Sequence, residues 1–281
     1  MLKLMYITNQ PAVAQIAERA GVDRIFVDME YLGKSERQKN MDTVQSHHSI
    51  ADIAAIRAAV SSAQVLVRIN PIHEALPGLP ASKEEIDAAI AAGADLLMLP
   101  YFKTPGEVER FLQCVAGRVR TMLLVETAEA VAQIDEILAL SGIDEVHIGL
   151  NDLSLGYGKK FMFELLADGT VEQLCFKLRK RGLSYGFGGI AALGSGMLPA
   201  ECIIREHYRL GSGCVILSRS FCDTSKVQEL DTVNRIFQQG VREIRALEAE
   251  CRSHAAYFWN NEAELRSRVT AVCQKLYPSE A

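Results

Sequence analysis

Short apolar runs recur along the chain, separated by longer stretches in which apolar residues return every three or four positions. The runs cover residues 3–7, 24–28, 64–69, 95–99, 121–125, 145–148, 184–187 and 214–217. They are too short for helices and rich in β-branched or large apolar side chains, which predicts strands. The stretches between them, such as 11–20, 83–92, 105–115 and 128–140, predict amphipathic helices. Pro11 and Pro105 open two of these, and Gly21 and Gly93 follow the ends of two, as helix start and stop signals should. Eight strand–helix units without a break in composition predict a parallel α/β fold, and eight units suit a closed (β/α)8 TIM barrel better than an open sheet. Two connections are long, 30–49 and 189–199, and long connections after strands are where binding tends to reside.

The chain continues past the eighth strand. A long helix is predicted over 227–250, and then Leu265, Val269, Val272 and Leu276 recur at helical spacing behind Asn260 and Asn261, either of which can cap a helix. The expected organisation is a barrel domain over 1–253 and a C-terminal helical extension over 254–281. The extension carries one apolar stripe, which needs a seat on its own barrel or on a neighbouring subunit. Tyr257, Phe258 and Trp259 beside it favour a partner surface.

Composition narrows the function classes. The sequence has 281 residues, 49% of them hydrophobic and 23% charged, which is globular and not disordered. Its formal charge of −5 offers no basic surface for a phosphate backbone, so no nucleic-acid partner is expected. No apolar run approaches the roughly 18 residues of a membrane span, so no membrane partner is expected. Seven scattered cysteines without a CxxC pair read as reduced core thiols, and with no secretory pattern at the N-terminus they point to the cytoplasm.

In a barrel, side chains at the C-terminal ends of the strands face the mouth. The polar residues closing these runs are Asp28, Glu30, Arg68, Glu126 and Asp152. One acid at a strand end is ordinarily a cap or a rim residue; four acids converging with one arginine exceed what structure requires. Glu126 and Asp152 follow neighbouring strands, and two close carboxylates repel unless they share a proton or a cation. Oxygen ligands without cysteine suit Mg²⁺ or Mn²⁺. The segment GFGGIA (186–191) imitates a dinucleotide fingerprint but ends a seventh strand and has no ribose-binding acid at the required distance. It reads instead as a loop that, with Ser218, Arg219 and Ser220, grips an acidic substrate end, or as a packing turn. Glu84 and Glu85 occupy a first helical turn behind a serine cap and call for no function.

The segments VDME (27–30), VRIN (67–70), AAGADLLMLP (91–100), LLVET (123–127) and IGLNDLSLGYG (148–158) together resemble the HpcH/HpaI-type 2-oxo-acid aldolase and citrate lyase β-subunit family, in order, over most of the chain. The resemblance implies a barrel whose mouth binds a divalent metal through Glu126 and Asp152: Mg²⁺ first, with Mn²⁺ or Co²⁺ as alternatives. It implies that Arg68 polarises the oxo group of a small 2-oxo acid such as pyruvate or oxaloacetate, and that backbone N–H groups at Leu150, Asn151 and Asp152 hold its carboxylate. Glu30 would position a water or another ligand of the metal, and Arg219 the distal part of the substrate. The family's habit implies a homo-oligomer. The expected activity is a carbon–carbon lyase of the class II aldolase type that passes through an enolate, with an aldehyde or thioester as co-substrate.

The chain also departs from the family pattern. Tyr31 stands where the pyruvate-aldolase branch has a histidine for proton transfer, so His48, His47 or His73 becomes the candidate base. Lys34, Arg37 and the LLVET segment resemble the citrate lyase branch, whose substrates are acyl thioesters. A thioester lyase or condensing transferase, and a lapsed barrel kept as an oligomeric binding module, are the alternatives. The intact set of Arg68, Glu126 and Asp152 argues against the second.

Overall fold

All eight predicted strands form, and they close into one parallel barrel in sequence order: β1 (Lys3–Ile7), β2 (Arg24–Asp28), β3 (Gln64–Arg68), β4 (Leu96–Leu99), β5 (Arg120–Val125), β6 (Glu145–Ile148), β7 (Ser184–Ile190) and β8 (Cys214–Leu217), with β8 pairing back onto β1. The computed structural model describes residues 1–33, 48–254 and 257–276. Among these the helices are α1 (Pro11–Ala20), α2 (Ile50–Ala59), α3 (Ser82–Ala91), α4 (Pro105–Val115), α5 (Ala128–Ala132), α6 (Ile134–Ile137), α7 (Leu150–Gly156), α8 (Glu164–Ala167), α9 (Thr170–Lys180), α10 (Ala200–Leu210), α11 (Leu230–Ser253) and α12 (Tyr257–Leu276).

Local chemistry sets the helix ends. Ser49 and Asp52 form a reciprocal capping box on α2, and Thr104 and Glu107 form another on α4 behind Pro105. Gly21 closes α1 at φ +96°, a conformation that a Cβ would strain. The helix expected over 128–140 breaks into α5 and α6 at Gln133, whose φ of −106° and ψ of 17° leave the helical region. The seventh strand runs three residues beyond its predicted end, because an irregularity between Gly186 and Gly189 lets β7 follow β8 through the glycines. A Cβ on Gly186 would lie 2.2 Å from the Cys214 carbonyl oxygen. The GFGGI segment is therefore strand packed tightly against β8, in line with the packing alternative and not a loop.

Strand parity decides what faces the barrel axis. Met5, Phe26, Leu66, Leu96, Met98, Met122, Leu124 and Cys214 form the inner core, while the alternate residues pack outward under the helices. The same parity points Asp28, Arg68 and Glu126 into the mouth above that core. At the other end it points Arg24 and Glu145 inward below it.

The apolar stripe of α12 seats on its own barrel. Leu265 and Val269 are buried, and α12 packs against α10 and α8 of the same chain. The helix begins at Tyr257, so Asn261 lies inside it and does not cap it. Its buried amide donates to the Cys202 carbonyl at 3.2 Å and to Glu206 Oε2 at 3.1 Å, pinning α12 to α10. Among the described residues no helix is long and apolar enough to cross a membrane, and all seven cysteines are free thiols.

Candidate active site

The register of the sheet sets the first pair. Asp28 lies directly beside Arg68 across β2 and β3, and the two make a bidentate contact, Nε to Oδ1 at 2.8 Å and Nη2 to Oδ2 at 2.7 Å. The guanidinium sits over the Phe26 ring, 5.5 Å from its centroid, which floors the site with an apolar face. Glu30, 1% exposed, brings Oε2 to 3.4 Å from Arg68 Nε. Burial alone would lower the Arg68 pKa; the charges of Asp28 and Glu30 outweigh it and raise the pKa, so the guanidinium stays charged.

Glu126 follows β5 and is held from two sides. Its Oε1 accepts the backbone N–H of Tyr101 at 3.0 Å, from a residue in the left-handed region at φ +49°, which is strained for a tyrosine. Gly149, after β6, passes so close that a Cβ there would lie 2.8 Å from both Cβ and Oε2 of Glu126. Burial first, then the charges of Glu30 and Asp152, push the Glu126 carboxyl up to about 8 against the opposing pull of Arg68. Asp28, Glu30 and Glu126 thus share Arg68, and Asp152 adds a further negative charge beside Glu126. Among the described residues no three His, Cys, Asp or Glu side chains form a group that could hold a metal. Two oxygen donors with open positions, in a cluster short of positive charge, suit a hard divalent cation that keeps water and substrate as its remaining ligands. Gly149→Ala is expected to displace the Glu126 carboxylate, lowering divalent-cation affinity about tenfold and stability by about 1–3 kcal/mol. A cation titration and a urea melt check the two effects.

The other predicted residues divide. Asp152 and Asn151 are half-buried and Leu150 is buried, all in the first turn of α7; Asp152 stands on that helix and not at a strand end. Asp152 is nonetheless close enough to Glu126 to raise its proton affinity. His48 accepts the backbone N–H of Asp28 at Nδ1, at 2.9 Å, so the neutral ring carries its proton on Nε2. The lone pair a base would use is thus engaged in fixing the Asp28 backbone. His73 is folded against its own loop, Nδ1 at 2.7 Å from the Pro71 carbonyl and 3.0 Å from Ser82 Oγ, and Nε2 at 3.0 Å from the Pro80 carbonyl, so that a neutral ring donates to one of the two carbonyls. Arg219 is exposed in a turn after β8. His47, Lys34 and Arg37 lie outside the described residues.

Two groups escaped the sequence reading. Asn70, just beyond Arg68, and Glu85, in the first turn of α3, form a buried hydrogen-bonded pair beneath the segment that carries Glu30. The signal for Glu85 was its place beside the apolar Ile86 and Ala89, where a solvated acid would not sit. His147, one layer inside the barrel, is pushed down to about 4 by burial and donates from Nε2 to the Gly188 carbonyl at 3.0 Å.

Comparison with known proteins places these residues in context. The sequence profile of the HpcH/HpaI aldolase/citrate lyase family matches residues 3–164. A 4-hydroxy-4-methyl-2-oxoglutarate aldolase, cghB, of Chaetomium globosum is 24% identical over 215 residues, spanning 64% of this chain and 72% of that one. A hydroxypyruvate/pyruvate aldolase of Sagittula stellata is 29% identical over 148 residues, covering 42% of this chain and 55% of its own length. In three dimensions the barrel is similar to an HpcH/HpaI aldolase/citrate lyase family protein from Burkholderia cenocepacia J2315, with a TM-score of 0.60 and 18% identity over 83% of this chain and 94% of that one.

Proposed function

The chain belongs to the HpcH/HpaI aldolase/citrate lyase family, and from that premise we propose that it is a divalent-metal-dependent carbon–carbon lyase working through the enolate of a pyruvate- or oxaloacetate-type 2-oxo acid. The observation that carries the reading is the cluster at the barrel mouth in which Asp28 and Glu30 pair with Arg68 while the buried Glu126 feels Arg68, Glu30 and the half-buried Asp152. Glu126 and Asp152 would hold the cation, Mg²⁺ first, with Mn²⁺ or Co²⁺ as alternatives. When bound, it supplies Lewis-acid stabilisation of the negative charge that develops on the oxo oxygen.

The chain's own residues supply the rest. Asp28 locks the Arg68 guanidinium in one plane, so its remaining N–H groups meet the oxo oxygen without reorganising. The first turn of α7, at Leu150, Asn151 and Asp152, offers backbone N–H groups to the substrate carboxylate. Glu30 orients a water or proton-bearing ligand beside Arg68, and His48 holds the Asp28 backbone from the far side. Arg219 stands at the rim for the distal end of a co-substrate, an aldehyde or a thioester. On family grounds we also assign a homo-oligomer in the cytoplasm, the first of which sedimentation analysis checks.

The test is oxaloacetate decarboxylation and pyruvate methyl-proton exchange, followed with chelator and then with Mg²⁺, Mn²⁺ or Co²⁺ restored. Turnover that disappears with chelator and returns with metal is expected. Absence of turnover with every metal would overturn the reading.

A further inference from the structure

We infer that Asn70 and Glu85 are positioning residues that set the backbone of Tyr31 and Leu32, and with it the Glu30 carboxylate, at the barrel mouth. The consequence for turnover rests on the function proposed above; the geometry does not. The chain leaving β2 turns past the end of β3 at residues 30–32, where the Glu30 N–H donates to Asp28 Oδ1 at 3.2 Å and the next two N–H groups meet Asn70. Asn70 is itself buried, so its amide oxygen needs a donor, and these two part-buried N–H groups supply it. Asn70 satisfies both with one atom: Oδ1 accepts from Tyr31 and from Leu32, each at 3.1 Å. Its other side faces away from the mouth, where Nδ2 and the backbone N–H donate to Glu85 Oε1 at 2.9 and 3.2 Å.

This splint demands an amide. Only a side chain that accepts on one atom and donates on the other can join two backbone N–H groups to a carboxylate. Asn70 is 1% exposed and Glu85 6%, so neither can exchange its partner for water. Glu85 is otherwise hard to account for. It lies on the face of α3 that buries Ile86 and Ala89, and its Oε2 has no hydrogen-bond partner, with His73 Nε2 standing 4.0 Å away. A buried carboxylate with one bare oxygen destabilises a helix that an apolar residue would serve better. Its one evident return is the orientation of Asn70. The residue it ultimately steadies is Glu30, immediately before the clamped segment and 3.4 Å from Arg68.

The logic of donors and acceptors gives a reciprocal test. Asn70→Asp alone sets a second carboxylate against Glu85 and removes the donor between them. Adding Glu85→Gln returns a donor on the opposite side, so the double variant restores the side-chain contact and leaves the residue-70 backbone N–H to the glutamine oxygen. Each full-length protein is loaded with Mn²⁺, and two quantities are read: amide hydrogen exchange at Tyr31 and Leu32, and kcat and KM for oxaloacetate decarboxylation. Asn70→Asp is expected to speed exchange at both amides and to lower kcat about tenfold, with KM moving less, as loss of a supporting contact behind a site residue does. The double variant is expected to recover most of both losses. Wild-type exchange and kcat in Asn70→Asp would overturn the inference, and so would a double variant in which the two losses simply add. If the wild-type chain turns over no 2-oxo acid with any metal, the proposed function falls alone; exchange at Tyr31 and Leu32 then still decides whether the splint exists.

Discussion

In Asp152→Ala, divalent-cation binding and turnover are expected to vanish together while the barrel stays folded. Asp152 stands in the first turn of α7 and is one of the two carboxylates proposed to hold the cation. Several kcal/mol of charge stabilisation goes with the cation, so decarboxylation should fall by about three orders of magnitude. A change of this size could also come from unfolding, and Glu126 separates the two. Without cation, burial, Glu30 and Asp152 hold the Glu126 carboxyl at about 8, above its ordinary 4.5. A carboxyl raised on folding binds more protons in the folded chain, so stability present at low pH is lost as pH climbs from about 4.5 to 8. Asp152→Ala removes one of the repelling charges and moves the Glu126 pKa down, making that loss smaller. At pH 8 the cation-free variant should therefore melt above cation-free wild type. Saturating Mg²⁺ or Mn²⁺ should raise the wild-type melting temperature and leave that of the variant unmoved. Metal-dependent activity surviving in Asp152→Ala would sink the ligand assignment.

The parts of this site that were legible in the sequence are those governed by strand parity. Asp28 and Arg68 end adjacent strands, and parity alone puts both inside the mouth with Glu126. The VET and NDLS segments placed Glu126 and Asp152 in neighbouring units, though Asp152 proved to stand on a helix. What was not legible depends on how chain segments cross once they leave the strands. Nothing in the sequence shows that His48 would spend Nδ1 on the Asp28 backbone, or that His73 would fold against the carbonyls of its own loop, because each contact is set by loop geometry. Glu85 carries a hint of burial in its neighbours Ile86 and Ala89, but its partner Asn70 appears only when the fold brings the two together. The extension is similar: its apolar stripe was visible, but which surface it meets was decided by Asn261 reaching Cys202 and Glu206 on α10.

The largest effect on stability is expected at the opposite end of the barrel from the chemistry. Arg24 and Glu145 open β2 and β6, and both point to the axis. Arg24 is wholly buried and Glu145 is 2% exposed, joined by two hydrogen bonds of 2.8 and 2.7 Å. Gln64 takes the remaining Arg24 Nε–H at 3.0 Å, and Arg120 meets the same carboxylate at 2.8 Å. Burial would raise the Glu145 pKa, but Arg24 outweighs it and the carboxyl titrates below its usual range. The pair's contribution is therefore complete above about pH 4.5 and fades as pH falls through the lowered value. Glu145→Ala would leave the Arg24 guanidinium charged, buried and without its carboxylate, a loss of about 3–5 kcal/mol. Against a typical domain stability of about 5–15 kcal/mol, that moves the urea midpoint far towards water. The double variant Arg24→Met with Glu145→Leu should recover most of the loss, since a packed apolar pair avoids desolvating both charges. In each variant the molecules that remain folded should keep wild-type kcat, because Asp28, Arg68 and Glu126 stand at the other ends of their strands. A large fall in kcat with the urea midpoint unchanged would mean that the two ends of the barrel are coupled, contrary to the separation of stability from chemistry that the fold implies.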